Sequence, residues 1–80
     1  MNLLSDNDWK ALSAALYRNE RLTLVRTLGE VKITAQTEEA GKAWPVSMVV
    51  GVILVSQSKT QRQYFETAEE AKSCVNQWRP

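Results

Sequence analysis

Apolar residues recur at helical spacing in the first part of this chain of 80 residues. Their spacing of three and four positions predicts an amphipathic helix from about Asp6 to Arg18. The members of the apolar stripe are Trp9, Leu12 and Leu16. Ser5 and Asp8 stand at the positions of a capping box, in which a hydroxyl and an acidic side chain bond free backbone N–H groups of the first turn. The sequence therefore predicts a helix that begins directly after Ser5.

A second helix is predicted at the other end of the chain, from Ala68 to about Trp78. Thr67 and Glu70 form the best-matching capping box of the sequence, with the hydroxyl and the acid three residues apart. The apolar stripe of this helix has members at i, i+3, i+4 and i+7, namely Ala71, Cys74, Val75 and Trp78. We therefore expect both ends of the chain to pack as helices on the segment between them.

Between the two helices the period of the apolar residues changes to two, which indicates β-strands. From Leu22 to Thr37 the alternation is interrupted at Gly29 and Glu30, a dipeptide suited to a two-residue hairpin turn with glycine in the first central position. The apolar pairs that result are Leu28–Val31 and Leu24–Ala35. Because these pairs share one face, the two strands are predicted to form a hairpin that is apolar on one side.

Arg26 is the polar exception on the apolar face of this hairpin, where it is predicted to lie opposite Ile33. Two explanations stay open. Either the side chain buries its stem and keeps its charged head in water at an open edge of the sheet, or it pairs with an acidic residue. The sequence does not distinguish between them.

A long third strand is predicted from Val46 to Ser56, after a loop that Gly41 and Pro45 mark. It is apolar on both faces for much of its length, which is typical of a central strand. A more polar strand from Gln61 to Phe65 follows a polar reversal and is expected nearer the edge. The third and fourth strands therefore form a second hairpin.

The register of the second hairpin stays open. A two-residue turn at positions 58 and 59 is one alternative, and a three-residue loop, which would exchange the faces of the fourth strand, is the other. In the two-residue register the pairs are Ile53–Tyr64 and Val55–Arg62. Only the first alternative places these four side chains on one face.

Together these elements predict a single two-layer α+β domain over residues 1–80, with the element order α-β-β-β-β-α. The four strands form an antiparallel sheet of two hairpins. Helices from the two ends of the chain cover one face of that sheet, which buries their apolar stripes.

Charge and composition exclude several classes of protein. Ten basic and nine acidic residues give a net charge of +1, so no overall field draws the chain to nucleic acid or anionic lipid. The longest apolar run, residues 49–55, is far shorter than a bilayer span, and the sequence begins without the features of a signal peptide. Cys74 is the only cysteine, which excludes an internal disulfide. We expect a cytoplasmic protein without membrane association.

Residues that carry enzyme chemistry are scarce. The chain has no histidine, which removes the commonest general base and metal ligand near neutral pH. Its glycines are isolated, so it has no phosphate-binding loop. Adjacent carboxylates at positions 38–39 and 69–70 are explained by solvation and by the helix dipole, and Cys74 suits a small buried hydrophobe better than a nucleophile. The sequence therefore predicts a non-catalytic protein without a cofactor or a metal.

A protein-interaction module that forms a homodimer is the function that the sequence favours. The third strand is apolar on both faces, and the helices cover only one of them. Monomers rarely leave such a patch open to water, so we expect a symmetric dimer, either through the uncovered face of the sheet or by edge-to-edge pairing of strands. The preferred contact is the patch around Ile53 and Val55, on the side that also carries Val49. Trp44, in the loop before Pro45, has two explanations: it packs within the loop, or it is a contact for an unidentified protein partner, because tryptophan is enriched at binding hot spots.

Nucleic-acid binding is the alternative, carried by Lys59, Arg62 and Tyr64 of the second hairpin. The cations would contact phosphates while bases stack on the ring, but the low net charge makes this hypothesis the less favoured one. The element order is similar to that of the double-stranded-RNA-binding domain. Glu69 and Glu70 stand where that family has lysines, so the similarity does not imply RNA binding of that kind.

Overall fold

The structure is a computed structural model and describes residues 2–79. Its elements, in chain order, are α1 Asp6–Tyr17, β1 Thr23–Leu28, β2 Val31–Glu39, β3 Met48–Val55, β4 Thr60–Phe65 and α2 Ala68–Gln77. The strands form one antiparallel sheet in the order β1-β2-β3-β4, and both helices pack on the same face. The predicted α+β fold and its element order are confirmed.

Both helices begin where the capping pattern predicted. Ser5 Oγ accepts from the Asp8 N–H (3.1 Å) and the Asp8 carboxylate accepts from the Ser5 N–H (3.1 Å), which completes a capping box. Thr67 Oγ1 accepts from the Glu70 N–H (3.2 Å) and donates to Glu70 Oε1 (3.1 Å). The complete capping box, with bonds in both directions, is therefore found at α1, whereas the sequence pattern matched a capping box best at α2.

The first hairpin has the predicted register. Gly29 has a φ of 62°, the left-handed conformation that glycine adopts without steric cost, and Arg26 lies opposite Ile33 on the face that carries the helices. Arg26 Nη2 donates to Asp8 Oδ1 (3.1 Å), and about half of its side chain stays exposed. Both explanations for Arg26 are therefore correct, because it lies on an edge strand and also pairs with an acid.

The second hairpin turns one residue earlier than the predicted two-residue alternative. The Ser56 N–H donates to the Lys59 carbonyl oxygen (2.9 Å), so residues 57 and 58 form the connection. The resulting pairs are Ile53–Arg62 and Val55–Thr60. The pairs of the two-residue alternative are therefore off by two residues, a shift that leaves every side chain on its face. The three-residue alternative, which would exchange the faces, is wrong.

Strand ends near the loop at residues 40–47 also differ from the prediction. β2 continues to Glu39, which pairs with Met48, and β3 begins there rather than at Val46. The Ala40 N–H then donates to the Ser47 carbonyl oxygen (3.2 Å). Hydrogen bonding between the strands, rather than the apolar pattern, determines these ends.

The hydrophobic core fills the space between the sheet and the helices. Its buried members are Leu3, Leu4, Trp9, Leu12, Val31, Ile33, Ala35, Val50, Val52, Leu54, Ala68, Ala71, Val75 and Trp78. Cys74 is only half-buried, so its predicted burial is wrong, and its thiol donates to Gln63 Oε1 (2.9 Å). Trp78 Nε1 donates to Gln61 Oε1 (2.9 Å). Two glutamines of β4 thus attach the edge of the sheet to α2 and to the residue that follows it.

Thr37 is a buried polar residue that joins β2 to the connection between α1 and β1. It is 3% exposed. Its hydroxyl donates to the Glu20 carbonyl oxygen (2.6 Å) and accepts from the Leu22 N–H (2.9 Å), while its backbone N–H donates to the Leu22 carbonyl oxygen (2.9 Å). These three bonds hold the chain between α1 and β1 against β2.

Candidate interaction surface

The face of the sheet opposite the helices is the surface on which most of the predicted contact residues lie. Strand register orders its side chains in rows that cross all four strands. These rows are Thr27–Lys32–Val55–Thr60, Val25–Thr34–Ile53–Arg62 and Thr23–Gln36–Gly51–Tyr64. We call this surface the open face.

Apolar groups of the open face are concentrated in its first two rows. Val25 is 45% exposed, and Ile53 and Val55 are half-buried. Val49, which belongs to the same side of β3, is only 2% exposed, so its expected place in an uncovered patch is wrong. It pairs with Glu38, in the row next to the loop at residues 40–47. Because Val49 is buried, the apolar patch is smaller than predicted.

A small depression lies in the third row, at Gly51. A Cβ at that position would lie 2.5 Å from Glu38 Oε2 and 3.3 Å from Tyr64 Cε1. Gln36 Nε2 donates to the same Glu38 oxygen (2.8 Å). The missing side chain of Gly51 therefore provides the space in which the Glu38 carboxylate and the Tyr64 ring lie beside each other.

Sequence patterns did not identify this depression. The cavity has a volume of about 80 Å³ and is lined by residues of β2, β3 and β4 that include Gln36, Glu38 and Arg62. The one signal in the sequence was Gly51 itself, since a glycine inside an apolar strand often marks a place where other groups approach the backbone closely. Only the pairing of three strands shows which groups approach it.

Charges on the open face are few and mixed. Lys32 and Arg62 are exposed in adjacent rows, and the Glu38 carboxylate lies beside Tyr64. Within residues 2–79, no carboxylate lies within 4 Å of either cation. The face therefore has a small positive charge rather than the strongly basic surface that nucleic-acid-binding domains usually have.

Two of the six predicted contact residues lie away from this group. Lys59 ends the β3–β4 turn, and by strand alternation it does not share the face of Arg62 and Tyr64. Trp44 is half-buried in the 40–47 loop, where its backbone N–H donates to the Gly41 carbonyl oxygen (3.0 Å). The structure thus brings together Ile53, Val55, Arg62 and Tyr64 only.

These features define a two-layer α+β domain with one face of its sheet left uncovered by helices. Comparison of the chain with known protein families, with curated proteins and with solved structures finds no match in any of the three. Among residues 2–79, no three metal-ligating side chains converge. The helices in this part of the chain are too short or too polar to cross a bilayer.

Proposed function

We propose that this protein is a non-catalytic interaction module that forms a symmetric homodimer through the open face of its sheet. The observation that carries the proposal is the row Val25–Thr34–Ile53–Arg62, which runs across all four strands without a covering layer. A two-layer domain whose central strand is apolar on both sides gains stability when a second layer covers it. A second copy supplies that layer by packing sheet on sheet.

The composition of the open face suits a contact between proteins. Val25, Ile53 and Val55 provide apolar contacts, while threonine methyl groups extend them across the strands. Arg62 and Tyr64 are of the residue types enriched at interfaces. In a twofold arrangement each side chain contributes twice, because the same patch lies on both protomers.

The size of the face sets the expected affinity. Four strands about 4.8 Å apart and three rows about 6.8 Å apart cover a flat area of roughly 400 Å² on each protomer. Stable specific interfaces bury about 800 Å² per partner. The open face is thus about half that size and below the range of stable interfaces. We therefore expect a weak dimer, with a dissociation constant in the micromolar range or above.

Analytical ultracentrifugation across the micromolar range tests this proposal. We expect a mass that rises toward two chains with concentration. Ile53→Lys or Val55→Lys places a charge in the contact twice. Because both side chains are already half-buried in the monomer, each loses about half of the 1.5–3 kcal/mol of full burial, which weakens the dimer by at least about tenfold. Ala11→Lys, at an exposed position of α1, is the matched control and leaves the dimer unchanged.

Folding of the variants is checked by circular dichroism and thermal melting. Val25→Lys provides a second variant for the same contact, since Val25 is already 45% exposed on an edge strand and tolerates lysine without a change in the core. A protein that stays monomeric at high concentration would refute the proposal, as would a dimer that all three open-face variants leave intact.

A nucleic-acid-binding role for the same face is the second candidate, because Arg62 and Tyr64 lie side by side and Lys32 is in a nearby row. The Glu38 carboxylate next to Tyr64 opposes it by repelling phosphate. We expect a dissociation constant no tighter than about 10⁻⁵ M for random DNA or RNA at physiological salt. Submicromolar, steeply salt-dependent binding that Arg62→Ala abolishes would make this the better hypothesis.

The cellular compartment belongs to the proposal as well. We place the module in the cytoplasm, since its lone thiol at Cys74 needs no oxidising environment. Localisation of the fluorescently tagged protein in cells tests this placement.

A further inference from the structure

Two oppositely charged side chains at the open face have no ion-pair partner within the described chain. Among residues 2–79, no cation lies within 4 Å of the Glu38 carboxylate, and no carboxylate lies within 4 Å of the Arg62 guanidinium. Glu38 is half-buried and accepts from the neutral Gln36 amide (2.8 Å), whereas Arg62 is exposed on the edge strand β4. Partial burial weakens the hydration of a carboxylate, so a cation brought to Glu38 from outside the chain would stabilise it.

The depression at Gly51 is the place where such a cation fits. Its volume of about 80 Å³ gives room for a few non-hydrogen atoms, as at the end of one side chain. The Glu38 carboxylate and the Tyr64 ring both border the position that a side chain of Gly51 would take. A guanidinium in this space meets a negative charge on one side and an aromatic ring on the other, and both kinds of group attract arginine.

Strand register places Arg62 and Glu38 symmetrically about Gly51. Gly51 pairs with Gln36 on β2 and with Tyr64 on β4. Glu38 lies one row beyond Gln36, and Arg62 lies one row from Tyr64 in the opposite direction. With strands about 4.8 Å apart and rows about 6.8 Å apart, each charged residue is about 8 Å from Gly51, and the three positions lie on one line.

A twofold axis between two stacked open faces exchanges these two positions. The axis crosses the line from Arg62 to Glu38 at a right angle and passes over Gly51. It places Arg62 of each protomer over Glu38 of the other, so one axis creates two ion pairs. On the same flat lattice Val25 lies on the axis and faces its own copy. Val25 is 45% exposed, so the most exposed apolar side chain of the open face is covered by its equivalent.

The arrangement agrees with the known packing of sheets. The axis makes an angle of about 55° with the strands, so the strands of the two protomers cross at about 70°, near the orthogonal class. Stacked sheets lie about 10 Å apart, a gap that an arginine and a glutamate bridge from opposite sides. Lys32 is about 14 Å from Gly51 and falls beyond the edge of the facing sheet, where it does not oppose Arg62.

We propose that two reciprocal ion pairs fix the geometry of the homodimer: Arg62 of each protomer enters the depression at Gly51 of the other and binds Glu38 beside Tyr64. This inference rests on the proposed dimer and adds its axis and the source of its specificity. A second copy is the occupant because one chain supplies both the unpaired cation and its acceptor, at positions that a single twofold axis brings together.

Charge-swapped variants of the full-length protein test the pairing by sedimentation equilibrium. Arg62→Glu alone and Glu38→Arg alone each place like charges in both contacts, and we expect each to weaken the homodimer by at least about tenfold. An equimolar mixture of the two variants contains opposite charges at both contacts, so we expect heterodimers of close to wild-type affinity. Such restoration identifies pairing between protomers, because a pair within one chain stays broken when the variants are mixed.

A matched control separates this pairing from long-range attraction. Each reversal changes the net charge of +1 by two, to −1 for Arg62→Glu and to +3 for Glu38→Arg. Lys10→Glu and Glu69→Arg give the same net charges on the two helices, which cover the other face of the sheet. Because salt at 0.15 M screens charges beyond about 8 Å, we expect both control homodimers to form as in the wild type and their mixture to gain no affinity.

Glu38→Gln is a milder variant that decides the question if Glu38→Arg does not melt cooperatively. It removes the charge and keeps an oxygen that accepts from Gln36. We expect its dimer to be at least about twofold weaker than the wild type and less sensitive to salt. An affinity and salt dependence equal to those of the wild type would overturn the inference.

The swap experiment also distinguishes failure of this inference from failure of the proposed function. If the wild type dimerises but the single variants dimerise equally well, or their mixture associates no better than its components, the ion pairs are refuted and the dimer stands. A wild type that stays monomeric at high concentration would overturn both proposals and leave the open face to a different partner.

Discussion

Replacement of Thr37 by valine tests how strongly one buried hydroxyl stabilises this small domain. Valine has nearly the same shape, so the change removes the bonds to the Glu20 carbonyl oxygen (2.6 Å) and from the Leu22 N–H (2.9 Å) while the packing stays similar. Thr37 is 3% exposed, so water does not replace the hydroxyl without a rearrangement. A buried donor left without a partner costs about 1–3 kcal/mol.

The expected loss for Thr37→Val is therefore about 2–3 kcal/mol, the sum of one unpaired N–H and one weaker contact to a carbonyl. For a domain of this size, 1 kcal/mol shifts the melting temperature by about 4–8 °C, so the shift is well above the error of a thermal scan. Urea unfolding measured at one protein concentration gives the free energy, since self-association would otherwise contribute.

Thr37→Ser is the matched control, because it keeps the hydroxyl and removes only a methyl group. We expect it to cost about 1 kcal/mol, close to the value of one buried CH₂. If serine proves more destabilising than valine, the methyl group and not the hydroxyl stabilises this position, and the structural role given to the three bonds around Thr37 is incorrect.

Two further predictions concern polar contacts. The pKa of Asp8 lies below its ordinary value of 3.8, chiefly because the carboxylate accepts the Ser5 backbone N–H and then because of the Arg26 charge, with burial acting in the opposite direction. Because the folded pKa is lowered, the stabilisation by this carboxylate is complete above pH 3.8 and is lost as the pH falls through the folded pKa. In urea unfolding, the free energies of wild type and Asp8→Asn should therefore converge in acid. A difference between them that stays constant with pH would contradict this. At Gly51, an added Cβ meets mainly the far end of the Glu38 side chain, so Gly51→Ala should lower the free energy of unfolding by no more than about 1 kcal/mol. In a Glu38→Ala background the same change should be neutral or stabilising. An equal loss in both backgrounds of this double-mutant cycle would show that the strain lies elsewhere.

Local sequence determined the order of the elements and the start of each helix. Capping residues act within four positions, so Ser5 and Thr67 mark helix starts without help from the rest of the fold. The first hairpin was equally predictable, because Gly29 accepts a positive φ at a two-residue turn and the apolar alternation on both sides agrees with one register only. The position of the half-buried residues Ile53 and Val55 on the open face followed from alternation along a strand that is apolar on both faces.

Tertiary contacts decided the features that such short-range rules leave open. The polar connection after β3 permits more than one two-residue turn, and the apolar faces are the same in each, so the pairing of Ile53 with Arg62 required the assembled sheet. The same holds for the burial of Val49, for the acid partner of Arg26 and for the Glu38 carboxylate at Gly51. The groove between α1 and the first turn of α2 likewise exists only where two helices from opposite ends of the chain meet. In each case the residues that make the contact are far apart in sequence. Apolar periodicity shows which side of a helix or strand is buried, but it does not show which distant residue packs against that side.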